Sequence, residues 1–417
     1  MIRAILGISL VLLCISFPVI ANAVIEPVLG PQRLGVVLID FDRDPNRPSP
    51  RVIEEAIFHA TYSVSNFIQE SSYGLTHLEG RALGWYDYPD SEKCEISDTD
   101  LFEFLSPHFR FSDYDRFLVL YYNQPEKCHF LGHSTFGKES YETPQGRIHV
   151  SLSFAALANR FVHPQLPYQN LTGITSSVIA HELGHGLGIR GHGNLFDCGN
   201  QTLSASSKGC KQEGIADMFQ IMGGEGFYKS ALHHAACHKE YLGWMAGRME
   251  EIHSDEIRPG EERRFVIAPY EDGRGTVALK ISLAASIPIV NQVTISALYV
   301  ENRTSRGFNR RLSELEANLA KHYNKITSTK SKVLPSVDPS GVQVRGGFFL
   351  NGRCVTTYLL DSRPNSLQYD VHEYSLYDSL DGFVNPGDGI FDPNNNIKIE
   401  AVTTRPDFSV EVSVRKL

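Results

Sequence analysis

Residues 181–192 run His-Glu-Leu-Gly-His-Gly-Leu-Gly-Ile-Arg-Gly-His, with two histidines four apart and a glutamate beside the first. On a helix, positions i and i+4 lie on one face, one turn above the other, so His181 and His185 present their imidazoles to a common point. Such a pair can hold Zn²⁺ at about 2.0–2.1 Å and leaves room for a third ligand and a water. Glu182 stands next to the first ligand, where its carboxylate reaches the water rather than the metal. Gly188 allows the chain to leave the helix sharply, with φ > 0 at no steric cost, and the turn brings His192 back toward the helical pair. The chemistry expected is metal-assisted hydrolysis with Glu182 as general base. The pattern is short, and a chain with 16 histidines can produce it by chance. The glycine turn and the third histidine are what lift it above that background.

A helix must carry these residues. Ile174, Val178 and Ile179 precede the motif at helical spacing, which predicts a half-buried helix. Upstream, Leu34–Asp40 is an apolar run suited to a buried strand. The polar Asp40, Asp42, Asp44 and Asn46 that follow read as a solvated loop rather than a Ca²⁺ site. Ser49-Pro50 opens a second helix, with apolar residues from Ile53 to Ile68 on one face. Residues 75–86 and 116–122 read as strands. Residues 147–153 alternate, with Ile148, Val150 and Leu152 on one side, as in a half-exposed edge strand against which an extended peptide could lie. Strand, helix, strands, then helix is an α/β layered catalytic domain over 24–250. After Trp244, short strands near 265–268, 277–282, 297–300, 347–350 and 397–402 predict an all-β C-terminal domain over 251–417. A helical and loop insertion near 311–340, with its helix at 311–323, interrupts it. The Gly/Asp/Asn/Pro cluster at 381–396 reads as turns.

The N-terminus has the form of a signal peptide over residues 1–23: Arg3, an apolar core, then Ala21-Asn22-Ala23. The mature chain is expected to be secreted or extracellular (periplasmic in a Gram-negative host), with no stable membrane insertion. About ten residues separate the cleavage site from the first strand, so no inhibitory prodomain is expected. Of seven cysteines, all but Cys14 remain, an even set expected to form disulfides. Cys198–Cys210 is the best local pairing, contributing on the order of 3 kcal/mol. Asn170, Asn200 and Asn302 head glycosylation sequons, which matter only in a eukaryotic host. The net charge of −9 is spread without a basic run, so nucleic acid is not an expected partner. Oligomeric state is not legible.

The chain resembles secreted metzincin-type zinc peptidases related to gametolysin and, more distantly, the immune inhibitor A group. Beyond the histidine motif, Ser63–Gly74 with Gly84-Trp85-Tyr86 resembles their N-terminal block. His192-Gly193-Asn194 with Asp197-Cys198 resembles the segment past the third ligand. Asp217–Gly223 resembles the Met-turn, which implies Met222 as the methionine beneath the zinc. His238–Trp244 resembles the block closing the catalytic domain, and Glu301-Asn302-Arg303 with Gly307-Phe308 resembles a block of the β region. The likeness spans most of residues 34–310. Two departures stand out. Three residues rather than two separate Gly188 from His192, which calls for a bulge at Gly191. Gly224 also stands where some members place a zinc-proximal tyrosine; Tyr228 is a possible substitute.

The resemblance implies a metzincin-like α/β (α+β) fold with a mixed sheet and zinc helix. It further implies a secreted zinc endopeptidase acting on protein or peptide substrates, with His181, His185 and His192 as zinc ligands and Glu182 as general base. Asp197 is an alternative third ligand, and Glu213 or Glu225 would serve in the other main zincin branch. The alternative function is an exported, non-catalytic binding or adhesion protein that retains a zincin fold.

Overall fold

The computed structural model describes residues 27–88, 94–122, 131–157, 174–223, 232–289, 293–312, 338–364 and 379–417. The expected signal segment and nearly all of the expected helix at 311–323 lie outside these residues. The chain is a mixed α/β structure whose sheets divide between an N-terminal layered part and a β-rich remainder.

In the N-terminal part, β1 (Gly30–Asp40) is followed by α1 (Pro50–Glu54), α2 (Val64–Ser71), β2 (Thr76–Asp87), α3 (Asp98–Leu105) and β3 (Arg116–Tyr122). Then come β4 (Gly132–Ser134), β5 (Glu139–Thr143), β6 (Gly146–Ala156) and α4 (Ile174–Leu187). The sheet order is β2-β1-β3-β6-β4; the first four strands are parallel, and β4 and β5 pair antiparallel with β6. Alternation in β1 explains the layering. Leu34, Val36 and Leu38 pack with Ile53, Phe67, Ile68, Leu183 and Leu187 of α1, α2 and α4. Val37 and Ile39 pack on the other face with Leu101, Phe102 and Leu105 of α3.

Three local expectations are corrected. The helix from Ser49-Pro50 does not run unbroken to Ile68. It passes through one wide turn, in which Ala60 N donates to Glu55 O (2.8 Å), and restarts after Ser63, whose Oγ accepts from Asn66 N (3.1 Å). The capping serine competes with helix continuation. Asp40 is not solvated: its buried carboxylate accepts from the backbone N–H of Asp42 and Asp44 and pairs with Arg47. Residues 147–153 do not form the sheet edge, because β5 and β4 cover the side of β6 away from β3. The edge passes to β4, the last strand in the sheet among the described residues.

After α4 come β7 (Gly193–Asp197), β8 (Lys211–Glu213), α5 (Ala236–Tyr241), β9 (Met249–His253), β10 (Glu262–Ile267), β11 (Ala278–Pro288) and β12 (Thr294–Glu301). The last six strands are β13 (Val342–Leu350), β14 (Arg353–Leu360), β15 (Phe383–Val384), β16 (Gly389–Asp392), β17 (Ile397–Thr404) and β18 (Val410–Lys416). One mixed sheet runs β8-β7-β14-β13-β12-β11-β9, with β15 on β13; an antiparallel sheet runs β10-β18-β17-β16. The two enclose one apolar core, including Leu298, Val300 and Val344 opposite Val410, Val412 and Val414. Strands β7 and β8, which directly follow the histidine motif, belong to the larger of these sheets.

Disulfides join Cys198 to Cys210 and Cys237 to Cys354, and Cys94 is also disulfide-bonded. These bonds fit an extracellular protein. The second ties α5 to β14 across 117 residues, a closure that restricts the unfolded chain by about 4–5 kcal/mol in the entropic account. No helix among the described residues is long and apolar enough to cross a membrane. The Asn302 sequon is spent inside the fold, since its buried amide donates to Ile267 O and Phe408 O.

A fully buried ion-pair chain links the β-rich part to the segment after the motif. Arg345 of β13 holds Asp217 through two bonds (2.7 and 3.1 Å) and Glu301 through a third (2.8 Å), while Arg303 pairs with Glu301 (2.8 Å). Breaking such a pair leaves uncompensated buried charge, at a cost of about 3–5 kcal/mol. Arg345→Met is therefore expected to lower unfolding free energy by that amount in urea titration; a loss below about 1 kcal/mol would contradict the role given to this residue.

Candidate metal centre

Helix α4 is buried on nearly all sides rather than on one. It is squeezed between β6 and the 217–223 segment, and its glycines mark the contacts. A Cβ at Gly186 would meet Ser153 Oγ at 2.8 Å, and one at Gly184 would meet Met222 Sδ at 2.5 Å. Met222 therefore lies directly beneath the turn that joins His181 to His185. The buried Arg116 of β3 donates to Gly186 O and Ser151 Oγ, placing a cation at the helix C-terminus.

The helix ends at Gly188, with φ +121°. Gly188 N donates to His185 O (2.8 Å) and Ile189 N to Gly184 O (3.1 Å), the paired bonds of a Schellman stop. Gly191 has no positive φ. It is required for close approach: a Cβ there would lie 2.3 Å from Val355 O of β14 and would overlap Thr356. Thr357 N then donates to His192 O (3.3 Å), Gly193 N to Met222 O (2.8 Å) and Asp217 N to Gly193 O (3.1 Å). The third histidine is thus clamped between β14 and the 217–222 segment.

The outcome is a cluster. His181, His185 and His192 bring one ring nitrogen each within 4.8 Å of one another, a group that could hold a metal ion. His181 Nδ1 lies 2.8 Å from Ile221 O and His185 Nδ1 lies 2.7 Å from Ile189 O. A carbonyl oxygen has no proton to give, so each Nδ1 carries the hydrogen and each Nε2 keeps its lone pair for a metal. His185 Nε2 and His192 Nε2 stand 3.3 Å apart. For ligands about 2.05 Å from a tetrahedral ion, the expected separation is about 3.3–3.4 Å. That pair matches the spacing around a small tetrahedral cation, and the three histidines together could hold a metal ion.

Electrostatics prepare the same role. Burial, with mutual repulsion second, lowers His181 to about 3, and burial lowers His185 to about 4 and His192 in the same direction. All three are neutral at physiological pH, the form that ligates. Glu182 is buried beside Gly132 of β4, where a Cβ would meet its carboxylate Oε1 at 2.6 Å. Its Oε2 has no hydrogen-bond partner, and burial raises the group to about 8. An orphaned buried oxygen one residue from a ligand suits a group that handles protons of a substrate water.

The alternatives separate. Asp197 does not join the cluster; its Oδ1 accepts from Gly199 N (2.6 Å) at the end of β7. Glu213 sits on β8, paired with Leu195. Glu225 and Tyr228 lie outside the described residues. Sequence reading missed Gly132, Arg116 and Arg345. Only Arg345 carried a signal, as a charge inside the apolar Val342–Phe348 run. His238 of α5, which heads the block at 238–244, is fully buried with neither ring nitrogen hydrogen-bonded among the described residues.

No family model matches the chain, and no curated protein matches it.

Two outcomes follow from this geometry. His192→Ala should weaken metal binding far more than Asp197→Ala, measured as metal retained after dialysis; the reverse order would remove His192 from the ligand set. The second concerns acid. Burial also lowers His238 to about 3 and takes His233 and His234 well below their ordinary value. The unfolded chain takes up these protons near pH 6.5, and the folded chain resists them until far lower pH. Protonation of these histidines therefore favours unfolding: their contribution to stability is full above about pH 6.5 and falls as pH drops below it, and they outnumber the carboxyls of Glu182, Glu271 and Asp361, which burial raises and whose protonation acts the opposite way. For chelator-treated protein, the urea midpoint at about pH 5 should lie below that at about pH 7.5, and equal midpoints would contradict this linkage.

Proposed function

We propose that the chain is an exported zinc-dependent endopeptidase that hydrolyses peptide bonds in proteins. One observation carries the reading: three ligand-ready imidazoles converge beside a buried carboxylate with one oxygen that has no partner among the described residues. A site that only bound metal for structure would have no use for that carboxylate. His181, His185 and His192 are the residues that would hold zinc. When bound, zinc supplies a Lewis acid that polarises the scissile carbonyl and brings a water's pKa toward about 7.

Glu182 performs the proton transfer. It takes a proton from the attacking water and gives it to the nitrogen of the leaving amine as the C–N bond breaks. Burial raises its pKa to about 8, and a cation on the adjacent imidazoles would draw it down toward the carboxylate form.

The edge of β4, which pairs with no further strand among the described residues, supports a substrate lying extended. Ala156 N donates to Leu131 O and Thr135 N to Leu152 O (both 2.9 Å), so residues 131, 133 and 135 face β6. By alternation, the backbone groups of Gly132 and Ser134 face away. A peptide paired there by main-chain hydrogen bonds passes beside Glu182, which touches Gly132. Such pairing reads backbone more than side chains.

The test is hydrolysis of a denatured protein by the mature, metal-loaded chain. Activity should vanish on chelation and return with zinc. Glu182→Gln should keep metal and fold while losing about 10²–10⁴-fold in rate. Near wild-type hydrolysis by that variant would remove Glu182 as the base; no hydrolysis by the zinc-loaded wild type would favour a binding or adhesion role.

A further inference from the structure

Beyond the edge of β4, one exposed aromatic side chain stands beside the metal cluster. Phe136 is 49% exposed, and its ring meets His185 edge-on, 5.3 Å between centroids. The segment that presents it is firmly held. Gly137 N donates to His185 O (3.0 Å), Thr135 Oγ1 to Gly137 O (2.8 Å) and Thr135 N to Leu152 O (2.9 Å). Gly137, with φ +91°, comes so close to the helix stop that a Cβ there would lie 3.5 Å from Gly188 Cα. The next side chain, Lys138, is tied to Asp115 (2.9 Å), so its charge is engaged with that carboxylate.

Single exposed apolar side chains are ordinary on a protein surface; Phe136 differs in being held by a fixed segment against His185, where a ligand at the histidine cluster would cover it. Its position indicates by what. Phe136 follows Ser134 by two residues, and Ser134 is the last position whose backbone faces the free edge. A peptide extended along β4 and passing the cluster continues toward this ring. At the other end of the strand, Leu131 is 36% exposed. Exposed Phe408 differs in kind, since its ring carries the Arg306 guanidinium (4.7 Å) far along the chain.

We propose that Phe136 is a specificity-determining residue: it forms an apolar wall that receives a bulky apolar side chain of the substrate close to the cleaved bond. The proposal rests on the peptidase reading and deepens it. Main-chain pairing along β4 admits many sequences, and Phe136 selects among them at one position.

The experiment uses zinc-loaded mature protein and a mixture of peptides varied at each position around a cut. Wild type should prefer leucine, phenylalanine or methionine over serine or aspartate at a single position within about two residues of the bond. Contacts of this size discriminate about 10–200-fold. In Phe136→Ser the ratio of kcat/KM for apolar over polar peptides should fall about tenfold or more, and Phe136→Leu should restore much of it. Metal content should be unaffected in both variants. A second readout is binding of uncleaved peptides to Glu182→Gln, where adding Phe136→Ser should erase the preference for apolar sequences. The proposal is overturned by a wild type without apolar preference, or by a Phe136→Ser variant that loses activity equally toward all peptides. Absence of any cleavage by the zinc-loaded wild type is a different result, which defeats the peptidase reading and this proposal with it.

Discussion

The buried chain of charges Asp217–Arg345–Glu301–Arg303 is the constraint on which the rest of the structure turns. Two cations and two anions lie wholly inside the protein. Burial alone would push the Asp217 carboxyl up, but Arg345 pulls it net below its usual value, so it stays ionised. An apolar replacement of the whole set could be equally stable. What the ions add is direction. Asp217 also accepts from Phe219 N and from the Gln220 amide, which fixes the turn at whose end Ile221 O and Met222 O point back at the motif. Arg303 reaches the carbonyls of Phe219, His233 and His234, so the strand carrying Glu301 and the segment leading into α5 are set by the same charges. A register error in β13 would displace Arg345 and release the orientation of His181.

Around that anchor the histidines are held by backbone rather than by other side chains. Carbonyls of Ile221 and Ile189 orient two rings, and β14 presses on Gly191 from the far side. This explains why an additional residue before His192 is tolerated. The position of the third imidazole is set by Thr356 and Thr357 across the gap and by Met222 O behind it, not by the count from Gly188. It also makes the site depend on the β-rich part: β7 begins at residue 193 and is a strand of the larger sheet. The Cys237–Cys354 bond pins α5 to that same β14.

What was legible in the sequence is what is local. Residues 181–192 encode spacing, helix stop and return within twelve positions, and the cluster follows. Apolar runs located β1 and β3, because strands covered on both faces read as continuous hydrophobic stretches. Alternation over 147–153 was real, but it reports which face of a strand is wet and not which edge is free. The hairpin partner at 139–143 decides the edge, and its polar sequence gave little strand signal. Gly132 and Phe136 reach the site only because β4 folds back on β6, across more than 40 residues from Glu182 and His185. No pattern within one element announces such a contact. The split near residue 60 was missed for the opposite reason: the apolar face continues through it, and Ser63 interrupts the backbone beneath an unbroken stripe.

The electrostatic state of the cluster adds one more dependence. Burial makes the three imidazoles poor bases and the Glu182 carboxyl a weak acid. A divalent cation held by the three histidines would change that. It needs no proton removed from the ligands, since the histidines are already neutral, and its field favours the ionised form of Glu182. The same burial that prepares the ligands therefore leaves the carboxylate dependent on the cation for its charge. On the proposed reading, holding the ion and acting as a base would not be separate capacities of this site: the second would be switched on by the first.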